Sequence, residues 1–387
     1  MYSNYNHNFR NLFLKMHKTI GIVFGLVFVL VGLSGSVLAF REDIDELLNY
    51  SIMRVTPISN NGYRDIDDIF GAAISQIPEN AKLERFTMPR HPKAAASLSY
   101  MVETDDLDSY FYEVFIDPYT AIVTGSRLKI HGEDQFSQPF IQILMAFHWT
   151  LLLSANNAYL IGCVGIFFFF SVFIGLYLWR PANNNWRAAL TFKWRASSER
   201  ITYDIHRNIG FYGAIFLVIM TSTGVAMIFK PATRTLTSLF TVVHNDPDFG
   251  KSKPIKEGKP IGLGQVVKIA DSVFSTGRII SISLPSSPTG VYVVGKISDS
   301  EPNKTRAYKN VGIDQYSGDI LHVQDPAGFS AGDKFFEWLF PLHTGEIFGE
   351  FGRPILFLIG LIPFLLFTTG LLRWRQKISA RKRMKIS

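Results

Sequence analysis

Four long apolar stretches dominate this sequence and restrict the folds that it can adopt. They cover residues 19–40, 158–179, 209–229 and 355–372. A transmembrane helix needs about 20 apolar residues at a rise of about 1.5 Å each, and every stretch is near that length. One such stretch could be a buried core helix of a soluble protein, but four in one chain favour membrane spans. The sequence therefore predicts an α-helical integral membrane protein with four transmembrane helices.

The charged residues are distributed unevenly around these stretches. Residues 1–18, 180–208 and 373–387 contain 16 Lys and Arg against 2 Asp and Glu, whereas the rest of the chain contains 23 basic and 30 acidic residues. Because positive residues concentrate on the cytoplasmic side of membrane proteins, we expect both termini and the middle loop to be cytoplasmic. The net charge of +7 then reflects membrane orientation, and no binding of nucleic acid is expected.

The two halves of the chain repeat each other. Residues around the first and third apolar stretches match at an offset of 189, and residues around the second and fourth match at an offset of 195. The matched pairs include His17 with His206, Gly21 with Gly210, Gly35 with Gly224, His148 with His343, and Trp179 with Trp374. Parallel repeats of this kind are related by an axis along the membrane normal. Matched residues near that axis can therefore meet in pairs.

Each half also contains a segment of roughly a hundred residues between its two apolar stretches. Helical periodicity at Ile66–Ile74 and at residues 266–273 is followed by strand-like runs that Gly, Pro and Asp interrupt. This pattern predicts a small α+β domain in each half. Asp117 and Asp314 each precede a Tyr by two residues between β-branched runs, which predicts hairpins in which the Asp caps the turn.

The duplicated histidines are the candidate functional residues. His17 and His206 lie at the predicted cytoplasmic ends of two spans, and His148 and His343 lie before the other two spans on the outer side. An ionisable residue at a membrane boundary is costly unless it is paired or ligated. Imidazoles from facing helices commonly hold haem iron at both axial positions. A proton relay, another histidine-ligated metal and interfacial packing are the alternatives.

Glycines accompany these histidines at helical spacing. Gly21 and Gly210 follow their histidines by four residues, and Gly35 and Gly224 follow them by eighteen residues, which is five turns of an α-helix. Missing side chains on that face would leave room for a planar cofactor at two depths. Close packing of helices through small residues is the alternative interpretation.

These motifs resemble the PepSY-associated membrane proteins, an iron-regulated inner-membrane family that includes bacterial ferric-siderophore reductases. The resemblance covers nearly the whole chain. It is carried by the His-x-x-x-Gly motifs, Phe147-His148, Pro341-Leu342-His343-Thr-Gly, the span ends Gly-Leu-Tyr-Leu-Trp-Arg and Gly-Leu-Leu-Arg-Trp-Arg, and two PepSY-like domains with Ile116-Asp117 and Ile313-Asp314. The family often has Arg after the outer histidine, where this chain has Trp149.

The resemblance implies the cofactor and its ligands. Two haem b groups would be bound without covalent links, one by His17 and His206 and the other by His148 and His343. The single cysteine independently excludes covalent attachment through a C-x-x-C-H motif. Lys18 and Arg207 are candidates for pairing with haem propionates or for interfacial cations.

The resemblance also implies function. The protein would be a multi-pass inner-membrane enzyme that passes electrons to a periplasmic ferric siderophore and releases Fe(II). No Gly-x-Gly-x-x-Gly nucleotide fingerprint follows a predicted strand, so the donor would be another molecule, such as quinol or a cytoplasmic flavoprotein. A transporter of siderophore or iron, and a non-enzymatic PepSY module that binds or inhibits another protein, are the alternatives.

The expected domain organisation follows from spans, orientation and resemblance. In order it is the cytoplasmic N-terminus with helix 1 (1–40), a periplasmic PepSY-like domain (41–146), an outer haem-ligand segment with helix 2 (147–180), a cytoplasmic loop (181–208), helix 3 (209–229), a second periplasmic PepSY-like domain (230–340), an outer haem-ligand segment with helix 4 (341–373) and a basic cytoplasmic tail (374–387).

Overall fold

A computed structural model describes residues 2–58, 62–103, 109–131, 134–153, 157–181, 185–255 and 258–386. Within these ranges the α-helices are α1 (Tyr2–Val23), α2 (Gly25–Leu38), α3 (Arg41–Leu48), α4 (Tyr50–Met53), α5 (Ile66–Ile74), α6 (Phe140–Thr150), α7 (Ala158–Trp179), α8 (Trp186–Leu190), α9 (Ser198–Ile228), α10 (Lys230–Ser238), α11 (Leu263–Val273), α12 (Ala331–Thr344) and α13 (Gly352–Ile386). The strands are β1 (Lys82–Thr87), β2 (Ala96–Glu103), β3 (Ser109–Asp117), β4 (Ile122–His131), β5 (Arg278–Ser283), β6 (Val291–Ile297), β7 (Lys309–Asp314) and β8 (Ile320–Gln324).

The chain folds into two compact units. A helical unit contains Met1–Phe40, Leu144–Leu236 and Leu339–Ser387, and a sheet unit contains Arg41–Ile143 and Thr237–Trp338. Each unit therefore takes segments from both halves of the sequence.

The helical unit corrects the prediction of four transmembrane helices. Among the described residues, three helical regions are long and apolar enough to cross a bilayer: Ala158–Trp179, Ser198–Ile228 and Ala331–Met384. The first apolar stretch is instead two helices, Asn8–Val23 and Gly25–Leu38, that meet at an angle of 59°, and it adds a fourth span only if this bent pair is taken as one. The prediction was wrong because it assumed a continuous helix, whereas the chain leaves ideal helical geometry at Phe24 (φ −107°, ψ −10°). Breaks of this kind occur at glycine, and Gly25 follows directly.

Small residues bring α2 and α13 into close contact. A Cβ atom added at Gly32 would lie 2.7 Å from the carbonyl oxygen of Gly360. The Ser36 hydroxyl donates a hydrogen bond of 2.9 Å to the carbonyl of Phe357. In a lipid environment, backbone approach and interhelical hydrogen bonds of this type hold helices together.

The sheet unit corrects the prediction of two separate PepSY-like domains. All eight strands form one antiparallel sheet with the order β4-β3-β2-β1-β5-β6-β7-β8. The halves join where β1 pairs with β5, centred on Phe86 opposite Ile282. The prediction treated each half as self-contained, but the first strand of either half alone would be an edge with unpaired backbone groups. Pairing the two edges satisfies those groups within a single sheet.

Helices α5 and α11 cover this joined sheet and share one hydrophobic core with it. Ile69 and Ala73 of α5, Val266 and Ala270 of α11, and the central residues of the strands are all buried in the same cluster. The two predicted amphipathic helices are thus confirmed. The core runs across the junction of the halves, which makes the sheet unit one folded body.

The predicted Asp-x-Tyr hairpins are also confirmed. The backbone N–H groups of Tyr119 and Tyr316 each donate a 2.8 Å hydrogen bond to the carboxylate two residues earlier, on Asp117 and Asp314. The Tyr119 hydroxyl then donates to the carbonyl of Pro92. Asp117 and Asp314 therefore have a structural role in closing the turns.

A buried ion-pair network ties α3 to the sheet. The Arg127 guanidinium donates two hydrogen bonds of 2.8 Å to Asp45 on α3 and two, of 2.9 and 3.2 Å, to Glu113 on β3. Lys129 lies 2.7 Å from the same Glu113 carboxylate. Burial alone would raise the pKa of Glu113, but Lys129 and Arg127 outweigh it and hold that pKa below its usual value. The carboxylate is therefore stabilised in its charged form.

Replacing Arg127 with Met should destabilise the sheet unit strongly. The change leaves Asp45 and Glu113 buried with fewer partners, which typically costs about 3–5 kcal/mol. We expect the Tm of the purified protein to fall by about 10 °C. Lys82→Met, which breaks an ion pair whose side chains are 47% and 51% exposed, is the control and should change the Tm by less than about 3 °C. Equal Tm values for both variants would contradict this role for Arg127.

The charge on Glu113 should also contribute to the pH dependence of stability. Because its folded-state pKa is lowered, its contribution is complete above its ordinary value of 4.5 and is lost as the pH falls through the lowered pKa. Glu113→Gln removes this titration. In parallel thermal melts between pH 5 and pH 3, the Tm of the wild-type protein should therefore fall further than the Tm of Glu113→Gln. An equal fall in Tm for the two proteins would contradict this role of the Glu113 charge.

Candidate functional site: two buried histidine pairs

The helical unit brings the four duplicated histidines together as two pairs. The ring centroids of His17 on α1 and His206 on α9 are 6.3 Å apart. The ring centroids of His148 on α6 and His343 on α12 are also 6.3 Å apart. We call His17 and His206 the first pair and His148 and His343 the second pair. Residues more than 180 positions apart in the chain thus meet as matched partners with the same separation.

Each ring of the first pair is held by a helix other than its own. His17 Nδ1 lies 3.0 Å from the carbonyl oxygen of Ser171 on α7 and 2.9 Å from the hydroxyl of the same serine. His206 Nδ1 lies 3.0 Å from the carbonyl oxygen of Leu366 on α13 and 3.0 Å from the hydroxyl of Thr369. The same ring nitrogen is therefore bound in both histidines.

The second pair is held in the same way. His148 Nδ1 lies 3.0 Å from the hydroxyl of Ser34 on α2, and the carbonyl of Val31 is a further hydrogen-bond partner of the ring. His343 Nδ1 lies 2.9 Å from the hydroxyl of Thr223 on α9, with the carbonyl of Met220 as its further partner. All four hydroxyl residues are buried.

These contacts determine the tautomer of each imidazole. A carbonyl oxygen can only accept a hydrogen bond, so Nδ1 must carry the proton. The hydroxyls of Ser34, Thr223 and Thr369 already donate to carbonyls of their own helices, so they too accept from Nδ1. In a neutral imidazole protonated at Nδ1, Nε2 has the lone pair. All four rings thus present Nε2 as the nitrogen able to bind a metal.

A glycine lies under each of the four rings. A Cβ atom added at Gly175, Gly370, Gly35 or Gly224 would lie 2.9–3.3 Å from Cε1 of the histidine that packs there, respectively His17, His206, His148 and His343. A side chain at any of these positions would push the ring away from its carbonyl partner. The glycines therefore let each imidazole lie flat against the neighbouring helix.

Gly21 and Gly210 do not support a histidine ring, and their predicted role of leaving room for a planar cofactor stays a prediction. A Cβ atom at Gly21 would meet no atom within 4 Å, and one at Gly210 would make only an ordinary contact with Leu366. Gly35 and Gly224 do lie at a histidine, but at His148 and His343 and not at the histidines eighteen residues before them. Spacing within one helix did not reveal which neighbouring helix each glycine faces.

Six residues of the site were missed by sequence reasoning: Gly175, Gly370, Ser34, Ser171, Thr223 and Thr369. The duplication contained a signal for most of them. A hydroxyl residue directly precedes Gly35, Gly224 and Gly370, and the carbonyl that holds the histidine belongs to the residue four positions before each glycine. Gly175 departs from this pattern because Ile174 precedes it, and Ser171 supplies both the carbonyl and the hydroxyl.

Helix α9 links the two pairs. It carries His206 of the first pair and, seventeen residues later, Thr223, which holds His343 of the second pair. At about 1.5 Å per residue these positions are about 26 Å apart along the helix axis. That distance approaches the thickness of about 30 Å of a bilayer's hydrocarbon core. The pairs are thus spaced as two sites near opposite ends of one span.

The cation that follows His206 is already engaged. Arg207 lies 3.1 Å from the carboxylate of Asp204, which is fully buried and is also paired with Arg200. Arg207 additionally donates to the carbonyl of Thr191. Of the two cations predicted to contact propionates, Arg207 therefore serves a buried ion pair, whereas Lys18 is exposed.

The geometry of both pairs fits one metal ion held between two imidazoles. A bond between a transition metal and an imidazole nitrogen is about 2.0–2.1 Å long, so two imidazoles on opposite sides of one metal have ring centroids about 6 Å apart. The observed separation of 6.3 Å in both pairs agrees with this value. The uniform use of Nδ1 as donor is the hydrogen-bond arrangement that orients metal-ligating histidines. The donor set thus fits bis-histidine haem.

Comparison with known proteins identifies the family. No curated protein matches the chain at a significant level. The sequence does match the family described as the PepSY-associated TM region over residues 14–377. This range includes all four paired histidines and, together with the apolar helices, identifies a membrane protein. The chain therefore belongs to the PepSY-associated transmembrane family.

Proposed function

We propose that the protein is a haem-dependent oxidoreductase that transfers electrons across the bacterial inner membrane to a ferric siderophore in the periplasm. The observation that carries the proposal is the presence of two equivalent histidine pairs, each with a centroid separation of 6.3 Å and each ring protonated at Nδ1. The family match places the chain among PepSY-associated membrane proteins, which is consistent with the proposal.

In the proposal, His17 and His206 hold one haem b, and His148 and His343 hold the other. A haem bound by such a pair of imidazoles would supply reversible one-electron transfer. The residues of the chain fix the ligands before the cofactor arrives. Because each Nδ1 is bound to a buried hydroxyl, and in the first pair also to a carbonyl, the chain itself orients Nε2.

The spacing of the pairs supports transfer across the membrane. The two pairs lie about 26 Å apart along α9, and Ala214 and Leu217 of that helix pack in an apolar cluster with residues of α7 and α13. The charge asymmetry supports a cytoplasmic location for the basic segments and, with them, for the first pair. In this orientation both termini are cytoplasmic, the sheet unit is periplasmic, and the second pair lies towards the siderophore.

Reduction of the siderophore-bound iron would promote its release. Hard oxygen chelators hold Fe(III) more strongly than Fe(II), so adding one electron to the bound iron weakens the complex. The electron donor on the cytoplasmic side would be quinol or a flavoprotein. The residues described above bind and orient; none of them needs to exchange a proton with the iron complex.

Paired histidine substitutions should each remove half of the haem. We expect His17→Ala with His206→Ala to abolish one haem, and His148→Ala with His343→Ala to abolish the other, because each pair supplies both axial ligands. Haem per chain should be measured as the pyridine haemochrome, alongside reduced-minus-oxidised spectra. His322→Ala in β8 of the sheet unit is the control and should retain full haem content.

Two results would separate this proposal from the alternatives. Full haem content in both double variants would contradict the ligand assignment. Siderophore accumulation by protein-containing vesicles without an electron donor would indicate a transporter, since a reductase needs the donor.

Substitution of the ring-supporting glycines should disturb haem binding without touching a ligand. In Gly35→Ala the new Cβ would lie 2.9 Å from Cε1 of His148, so the ring must move and the affinity of the second site for haem should fall. Gly71→Ala, in α5 of the sheet unit, adds the same methyl group where nothing lies within 4 Å and is the control. Haem titration should show weaker binding at one site for Gly35→Ala and wild-type binding for Gly71→Ala. The reverse order would contradict the role of the glycines.

A further inference from the structure

The sheet unit contains a cavity at the junction of the two halves. It has a volume of about 450 Å³ and lies where the 88–92 loop, which follows β1, meets residues 277–279 at the start of β5. Tyr63 and Asp271 also line the cavity. Small-molecule sites in proteins typically have volumes of about 300–1,000 Å³, and this cavity is within that range.

Three basic side chains line the cavity, and two of them are already paired with carboxylates. Arg90, His91 and Arg278 line the cavity together with a single carboxylate, that of Asp271. Asp271 is already paired with Lys296 at 2.6 Å, and His91 Nε2 lies 2.9 Å from Glu46. Arg278 is exposed and forms no ion pair with any residue in the described part of the chain. Arg278 is therefore the residue available to form an ion pair with a negatively charged group of a ligand.

The wall of the cavity that carries Arg90 is rigid. Pro89 and Pro92 bracket Arg90 and His91, and each proline fixes its own φ angle. Arg90 donates to Asp43 at 2.9 Å and to Glu46 at 2.8 Å. Burial alone would lower the pKa of Arg90, but these hydrogen bonds raise it. The wall is thus formed before any ligand binds, which lowers the entropic cost of binding.

The duplication supplies an internal comparison. The second half has the same Pro-x-x-Pro loop, Pro285 to Pro288, but with two serines in place of Arg90 and His91. There the amide of Gln315 donates to three carbonyls of the loop region, at Ser287, Pro288 and Gly290. The second loop is therefore closed by the protein's own side chain, whereas the first borders an open cavity that Arg278 also lines.

We propose that this cavity binds a small molecule through a carboxylate group, with Arg278 as its ion-pairing residue. The free polycarboxylic acid and a ferric chelate with unbound carboxylates share this chemistry. Tyr63, which is 40% exposed, and the loop prolines provide apolar contact for the body of the ligand. The proposal concerns the sheet unit and does not depend on haem binding by the histidine pairs.

Calorimetric titration of the full-length protein in nanodiscs of neutral lipid tests the proposal. The probes are citrate, ferric citrate and the uncharged triethyl ester of citrate. We expect saturable binding of at least one of the two anionic probes and none of the ester. Protein prepared with and without haem should give the same affinity, so this test and the haem tests fail independently.

Three variants locate the site. Arg278→Gln should weaken binding about ten-fold or more, because it removes a charge-assisted hydrogen bond. Lys268→Gln removes the same charge from an exposed position on α11 outside the cavity and should leave the Kd within about two-fold. Met88→Trp should abolish binding by filling the cavity, and thermal melts of each variant verify the fold.

Several results would overturn the proposal. The first is that neither citrate nor ferric citrate binds saturably up to about 10 mM. The second is that the ester binds as tightly as the anionic probes. The third is that Arg278→Gln and Lys268→Gln weaken binding to the same extent. The last result would show attraction to net charge without a site. A difference between citrate and ferric citrate would identify which of the two carboxylate sources the cavity prefers.

Discussion

The structure depends on one recurring hydrogen bond, from Nδ1 of a histidine to a backbone carbonyl of another helix. In a helix that carbonyl is already bonded to an N–H group, yet its second lone pair can still accept. The imidazole can reach it only because a glycine four residues later leaves the helix surface bare. A hydroxyl of serine or threonine then accepts from the same nitrogen. These constraints act on four rings and determine which helices must be neighbours.

The same constraint explains how the helical unit is assembled. His17 joins α1 to α7, His206 joins α9 to α13, His148 joins α6 to α2, and His343 joins α12 to α9. Because the halves are duplicated, each contact has a counterpart in the other half. The sheet unit obeys the same logic, since β1 and β5 are counterparts that pair with each other. Duplication thus supplies both the matched histidines and the matched strand edges.

The sequence predicted those features that depend on local pattern. The apolar stretch that forms α7, the amphipathic helices α5 and α11, and the Asp-x-Tyr turns all follow from periodicity and residue type, and the structure contains them. The duplication also indicated which histidines would pair. In each case the information lies within about twenty residues or in an explicit repeat.

Features that depend on contacts between distant elements were not predictable in this way. Gly25 could mark a break in the stretch 19–40, but glycines are common within membrane helices, so the sequence alone did not distinguish a continuous helix from one bent at Phe24. The joining of β1 to β5 requires knowledge that two edges face each other. The role of Gly175 was missed because it lies on α7, whereas the His17 ring that packs against it belongs to α1. Ser171 was missed because a lone serine in an apolar span usually has no more than a packing role.

The central claim is that each histidine pair provides both axial ligands of one haem. Electron paramagnetic resonance of the oxidised, purified protein tests this claim most directly, because spin state reports the axial ligands. The account predicts signals of low-spin ferric haem alone, integrating to two spins per chain. A high-spin ferric signal of comparable intensity, or the absence of any haem signal from protein prepared with excess haem, would contradict it.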